Sequence, residues 1–87
     1  MADISWNIVK NERLKKTRGV SFEELLGKGK LLSVKRHHAR KDQYIMLFDY
    51  KKYVWVVPYV KDDRNNIFLK TLFPSRKYTS LYKGGLL

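Results

Sequence analysis

The chemistry-bearing residues of this chain are mostly cations. Between Lys28 and Lys41 stand six of them, Lys28, Lys30, Lys35, Arg36, Arg40 and Lys41, together with His37 and His38 and without a single carboxylate. A field of that kind attracts phosphates, and binding through it weakens as salt competes with the released counterions. A second cluster follows at Lys70, Arg76 and Lys77, with Tyr78 beside it. Arginine next to an aromatic ring suits a phosphate and an unstacked base, because the guanidinium forks onto two oxygens and the ring offers a π face. A charged run is also what a plain solvated face looks like, so charge alone leaves both readings open.

Other chemistries find fewer residues. Adjacent residues on a strand point to opposite faces, so His37 and His38 cannot easily chelate one metal, and no carboxylate lies near them at ligand spacing. With no cysteine, disulfides, thiolate zinc sites and a cysteine nucleophile are excluded. Glu23 and Glu24 belong to a helix start, Asp62 and Asp63 to a turn, and Asp49 to a hairpin end. There is no phosphate-binding Walker loop, no nucleophile elbow and no dinucleotide fingerprint, since Gly27 and Gly29 follow a helix and lack the spaced third glycine. No cofactor and no metal are expected.

These residues must be positioned by one small domain, because 87 residues rarely hold two cores. Residues 1–87 are read as a single unit. A hydrophobic content of 44%, with 14% aromatic, is enough for a folded core. A net charge of +11 points to a polyanionic partner: RNA, DNA, an acidic protein or an anionic membrane. The longest nearly apolar run, Tyr53 to Val60, contains Pro58 and falls far short of the roughly 20 residues of a membrane helix. The N-terminus has no pattern of a secretory signal, so a cytoplasmic protein is the expectation.

The spacing predicts helices first and strands afterwards. Ile8 to Arg18 lacks Gly and Pro, ends in Lys15, Lys16 and Arg18, and is followed by Gly19 in a C-terminal capping position. Ser21 can cap a second helix that stops at Gly27, with Glu24 reaching back to the cap and Val20 and Leu25 as a hydrophobic staple. From residue 31 the period changes to short runs rich in Val, Ile, Tyr, Phe and Trp: Leu31 to His38, Tyr44 to Tyr50, Tyr53 to Val60 and Ile67 to Phe73. Their short connections call for an antiparallel meander. The expected architecture is α+β, two N-terminal helices packed on a four-stranded antiparallel sheet, with a short helix or an arm over Tyr78 to Leu87. Both faces of the second and third strands are apolar, so the face away from the helices either packs on the C-terminal segment or presents a binding surface.

The sequence resembles the BrnT family of ribonuclease toxins, which have a RelE-like fold. That family opens with a Trp, a Lys four positions later and, thirteen positions after the Trp, a Gly-Val-Ser-Phe-Glu-Glu run; Trp6, Lys10 and Gly19-Val20-Ser21-Phe22-Glu23-Glu24 keep this spacing. It closes with a strand leading into a Ser-Ala-Arg-Arg-x-Thr type segment, where this chain has Pro74-Ser75-Arg76-Lys77-Tyr78-Thr79. It departs at Leu14, where the family has Asn, at Arg18, where it has His, and at Pro74-Ser75 and Lys77. The resemblance implies a toxin that cuts RNA without metal by 2′-hydroxyl attack. It also implies inhibition by a cognate antitoxin, typically a ribbon-helix-helix DNA-binding protein, in a two-to-two complex. Within that reading Arg76 and Lys77 stabilise the charged phosphorane, Lys70 joins them if its strand face agrees, and His37 or a lysine serves as base. Lys28, Lys30, Lys35, Arg36, Arg40, Lys41 and Tyr78 are the expected RNA contacts. The alternative is a basic RNA- or DNA-binding module without catalysis.

Overall fold

The computed structural model describes residues 3–37 and 39–87, so His38 lies outside the described residues. In chain order the elements are β1 (Ile4–Trp6), α1 (Ile8–Arg18), α2 (Phe22–Lys28), β2 (Lys30–Arg36), β3 (Gln43–Tyr50), β4 (Tyr53–Lys61), β5 (Ile67–Leu69), β6 (Phe73–Ser75) and α3 (Arg76–Lys83).

The α1 bounds are those the spacing predicts. The Asn7 side chain accepts the Lys10 N–H at 2.9 Å, and Gly19 closes the helix in the left-handed region at φ 72°, where a side chain would be strained. In α2 the Ser21 hydroxyl accepts the Glu24 N–H at 3.1 Å. The return half of the expected capping box is absent, because the Glu24 carboxylate accepts the Tyr50 hydroxyl and pairs with Lys51 at 3.3 Å. The helix runs past Gly27 to Lys28 and is closed by Gly29, where an added Cβ would sit 2.6 Å from the Leu25 carbonyl oxygen. Buried Asn11 ties the two helices together: its Oδ1 accepts the Phe22 N–H at 2.8 Å and its Nδ2 donates to Glu23 at 2.7 Å.

The sheet is mixed and six-stranded, which corrects the expected four antiparallel strands. Its order is β1-β5-β4-β3-β2, with β6 also paired to β4. β2 to β5 form the expected meander, but β1 lies parallel to β5, held further by an Asp3 carbonyl that accepts the Ile67 N–H at 2.7 Å. Three residues are too few for alternation to announce a strand.

The predicted last strand is divided, and Pro58 explains where. The Lys70 N–H donates to the Pro58 carbonyl at 2.8 Å, so this edge of Pro58 faces β5, and proline has no N–H to return. The register moves from Tyr59↔Leu69 to Val56↔Phe73, leaving Lys70, Thr71 and Leu72 opposite Val57 and Pro58 as a bulge.

Two cores lie on the two faces. On the first, Leu14, Val20, Phe22 and Leu25 of the helical side meet Met46, Phe48, Trp55, Val57, Tyr59, Leu69 and Leu72. On the second, Leu47, Val54 and Val56 are buried with Phe73, Tyr78 and Tyr82 packed against them. The C-terminal segment is therefore a covering helix. Its Ser75 cap accepts the Tyr78 N–H at 3.1 Å, and the Thr79 hydroxyl donates to the Ser75 carbonyl and accepts the Val54 N–H at 2.8 Å. Arg76 and Lys77 thus form the first turn of α3 and not the end of a strand. Two cations there oppose the helix dipole, a local cost that the Ser75 cap offsets.

Candidate nucleic-acid interface

α3 is too short to cover the second face. Eight residues of helix span about 12 Å, whereas the nine residues of β4 extend about 30 Å. Along β4 this face carries Val54, Val56, Pro58 and Val60. The rows of Val54 and Val56, with Ser75, Leu47 and Phe73 as cross-strand neighbours, are the ones α3 packs on. The next rows stay open: Lys35, Ile45 and Pro58 with Lys70 at its far edge, then Gln43, Val60, Phe68 and Ser5. Ile45, Pro58 and Val60 are half-buried, while Lys35, Phe68 and Lys70 are exposed. The open half is a small apolar floor with a cation at each side.

A hollow of about 390 Å³ lies on this floor, lined by His37, Arg40, Gln43, Ile45, Pro58 and Lys70 among others. A second, of about 410 Å³, adjoins it and is lined by Arg36, His37, Ala39, Arg40 and Lys41. His37 is fixed at the rim. Its N–H donates to the Gln43 carbonyl at 2.8 Å, and its Nδ1 accepts the Ala39 N–H at 3.2 Å. In the neutral ring the proton then belongs to Nε2, so the imidazole presents a donor rather than a base from that nitrogen. The ion pairs among the described residues are Lys15 with Glu12 and Glu23, and Lys51 with Glu24, all on the helical side and the β3–β4 hairpin. None takes a cation from either hollow.

The expected site is therefore brought together in part. Lys70 and His37 share one hollow with Arg40, and Lys70 does lie on the face that α3 covers further along. Arg76 and Lys77, though exposed, begin beside the Val54 row, four residues or about 13 Å along β4 from Pro58. The run from Lys28 to Lys41 does not form one surface. Lys35 stands opposite Ile45 on the open face and Arg36 opposite Tyr44 on the other, while Lys30 pairs with Asp49 at the far end of β2 and Lys28 ends α2. Tyr78 is half-buried in the second core, with Lys77 Nζ 5.7 Å from its ring centroid, and its ring serves packing.

Ile45 and Pro58 were legible as strand residues but not as the floor of a site. The usable signal was the mismatch of lengths: strands apolar on both faces followed by too little chain to cover them. Among the described residues no group of His, Asp and Glu is arranged to hold a metal ion, and no helix is long and apolar enough to cross a membrane. Comparison of the chain with protein-family models, curated proteins and solved structures finds no match.

Proposed function

We propose that this protein is an endoribonuclease toxin acting on RNA at the open half of the second sheet face, and that an antitoxin acidic at its contact surface silences it by covering that half. The observation that carries the reading is the hollow where Lys70 meets Arg40 and His37, thirty or more residues earlier in the chain, without a carboxylate. A phosphodiester seated there meets two cations, where charge develops when a 2′-hydroxyl attacks phosphorus. His37 takes the 2′-hydroxyl proton on Nδ1 once the ring releases the Ala39 amide, the 5′-oxygen leaves with a proton from water, and a 2′,3′-cyclic phosphate remains. Arg76 and Lys77 act as outlying phosphate contacts.

The test is incubation of end-labelled RNA with the protein in EDTA, with and without ribosomes, and analysis of fragment ends. Cyclic phosphate ends are expected, with cleavage reduced about 10²-fold in Lys70→Ala, as for loss of one transition-state donor, and by a smaller factor in Arg76→Ala. Intact RNA in both arms would overturn catalysis. The second reading, a binding module, is favoured by one contact: the His37 Nδ1 is already engaged by Ala39.

A further inference from the structure

Lys70 also lines a third hollow, of about 460 Å³, with Asn7, Val9, Lys10, Arg13 and Phe68. This one lies where β1 hands over to α1, and the sequence reading assigned none of its residues except Lys70 to a site. Three features mark it. Phe68 belongs to the open row of the second face, its β1 neighbour is the small Ser5, and the residue is 39% exposed. Lys10 and Arg13 are one turn apart on α1; Arg13 is exposed, and Lys10, four residues before the buried Leu14 of the first core, is half-buried. No carboxylate lines the hollow, and among the described residues none of its three cations enters an ion pair. Lys70 borders both this hollow and that of His37 and Arg40.

We infer that this hollow is a second subsite for single-stranded nucleic acid, in which Phe68 stacks an unpaired base while Lys10 and Arg13 hold the adjoining phosphates. The inference rests on the nucleic-acid reading above and deepens it: the strand runs from His37 and Arg40 past Lys70 to the start of α1. An exposed ring flanked by cations is how proteins grip unpaired bases without reading their sequence. A duplex keeps its bases stacked on one another and offers the ring nothing.

The probe is a labelled twelve-nucleotide DNA strand, which lacks the 2′-hydroxyl and so reports binding apart from cleavage, compared with its duplex by fluorescence anisotropy across a salt series. The single strand should bind tighter than the duplex. Phe68→Ala should weaken it about 5- to 150-fold, as loss of one stacked base does, with the salt slope unchanged, and Phe68→Trp should restore it. Lys10→Gln with Arg13→Gln should lower the slope by about 1.4, or 0.7 for each phosphate contact on a single strand. Wild-type affinity in Phe68→Ala together with loss in Arg40→Gln would overturn the subsite and spare the nucleic-acid reading. No binding of either probe by the wild type at low salt would overturn both. Binding of polyglutamate with the same dependence on Phe68 would reassign the hollow to an acidic polypeptide.

Discussion

The two halves of the second sheet face are made of similar residues and treated differently. Over Val54 and Val56 the strands are sealed by α3, and Leu47 between them has no exposure. One row further, Ile45 and Pro58 are only half-buried, and the row beyond ends in an exposed Phe68. The boundary is Pro58. Its missing N–H admits the bulge at Lys70–Leu72, which splits the last strand into β5, bordering the open half, and β6, which turns at once into the covering helix. One residue thus separates a region built for stability from one available to a partner, although alternation along β3 and β4 is the same in both.

The largest effect that sharpens this contrast is a pair of truncations on β3. Leu47→Ala should cost about 2–5 kcal/mol, the range for a buried leucine, measured by urea unfolding, while leaving the affinity for the twelve-nucleotide strand intact below the transition. Ile45→Ala, on the same face and two residues away, should cost less than half as much, because its side chain keeps part of its exposure when folded. Equal costs would mean that the open half is packed as tightly as the covered one, and the contrast would fail.

A smaller effect comes from the opposite end of the sheet. The two-residue turn joining β3 to β4 is Lys51-Lys52, with both at positive φ, 49° and 69°, where Asn-Gly is the usual occupant. Lys52→Gly should stabilise the fold by about 0.5–1 kcal/mol, the strain relieved less the extra entropy of the unfolded glycine, and raise Tm. It also removes a cation far from the open half, so affinity for the strand should not change. A loss matching that of a cation in the hollows would show that net charge, rather than their placement, governs binding.

Much of the first face was legible because its signals are local. Gly19, Ser21 and the Lys15–Arg18 end each act within one helical turn, and they mark α1 and the start of α2. The strands β2, β3 and β4 follow from composition and alternation to within a residue or two. What stayed hidden depends on long-range pairing: the parallel β1, the buried Asn11 that replaces a solvent contact with two hydrogen bonds, and the bulge opposite Pro58. The site was half legible for the same reason. Lys70, His37 and Arg40 could be picked out as cations or imidazole, but their convergence depends on the register, as does the separation of Arg76 and Lys77 from them.

The smallest effect is one of pH, and it distinguishes the two sides of the sheet. The Tyr50 hydroxyl, and after it Lys51, hold the Glu24 carboxyl below the usual carboxylate range; Glu23 is lowered by a backbone hydrogen bond and by the Asn11 amide. Both lie on the helical side. Asp62 is lowered too, by the backbone and side-chain amides of Asn66, in the turn that leads to Phe68. A carboxyl depressed in the folded state contributes stability that is present above its unfolded value, about 4, and is lost as pH falls through the folded value. Tm should therefore drop from about pH 5 downwards, and Glu24→Gln should shrink that drop while lowering Tm at pH 7. Asp62→Asn should also shrink it. Because Asp62 anchors the turn before Phe68, its substitution should in addition weaken single-strand binding at pH 7, which Glu24→Gln should not. If both variants change affinity alike, the two sides of the sheet are mechanically coupled and the open half is not an independent surface.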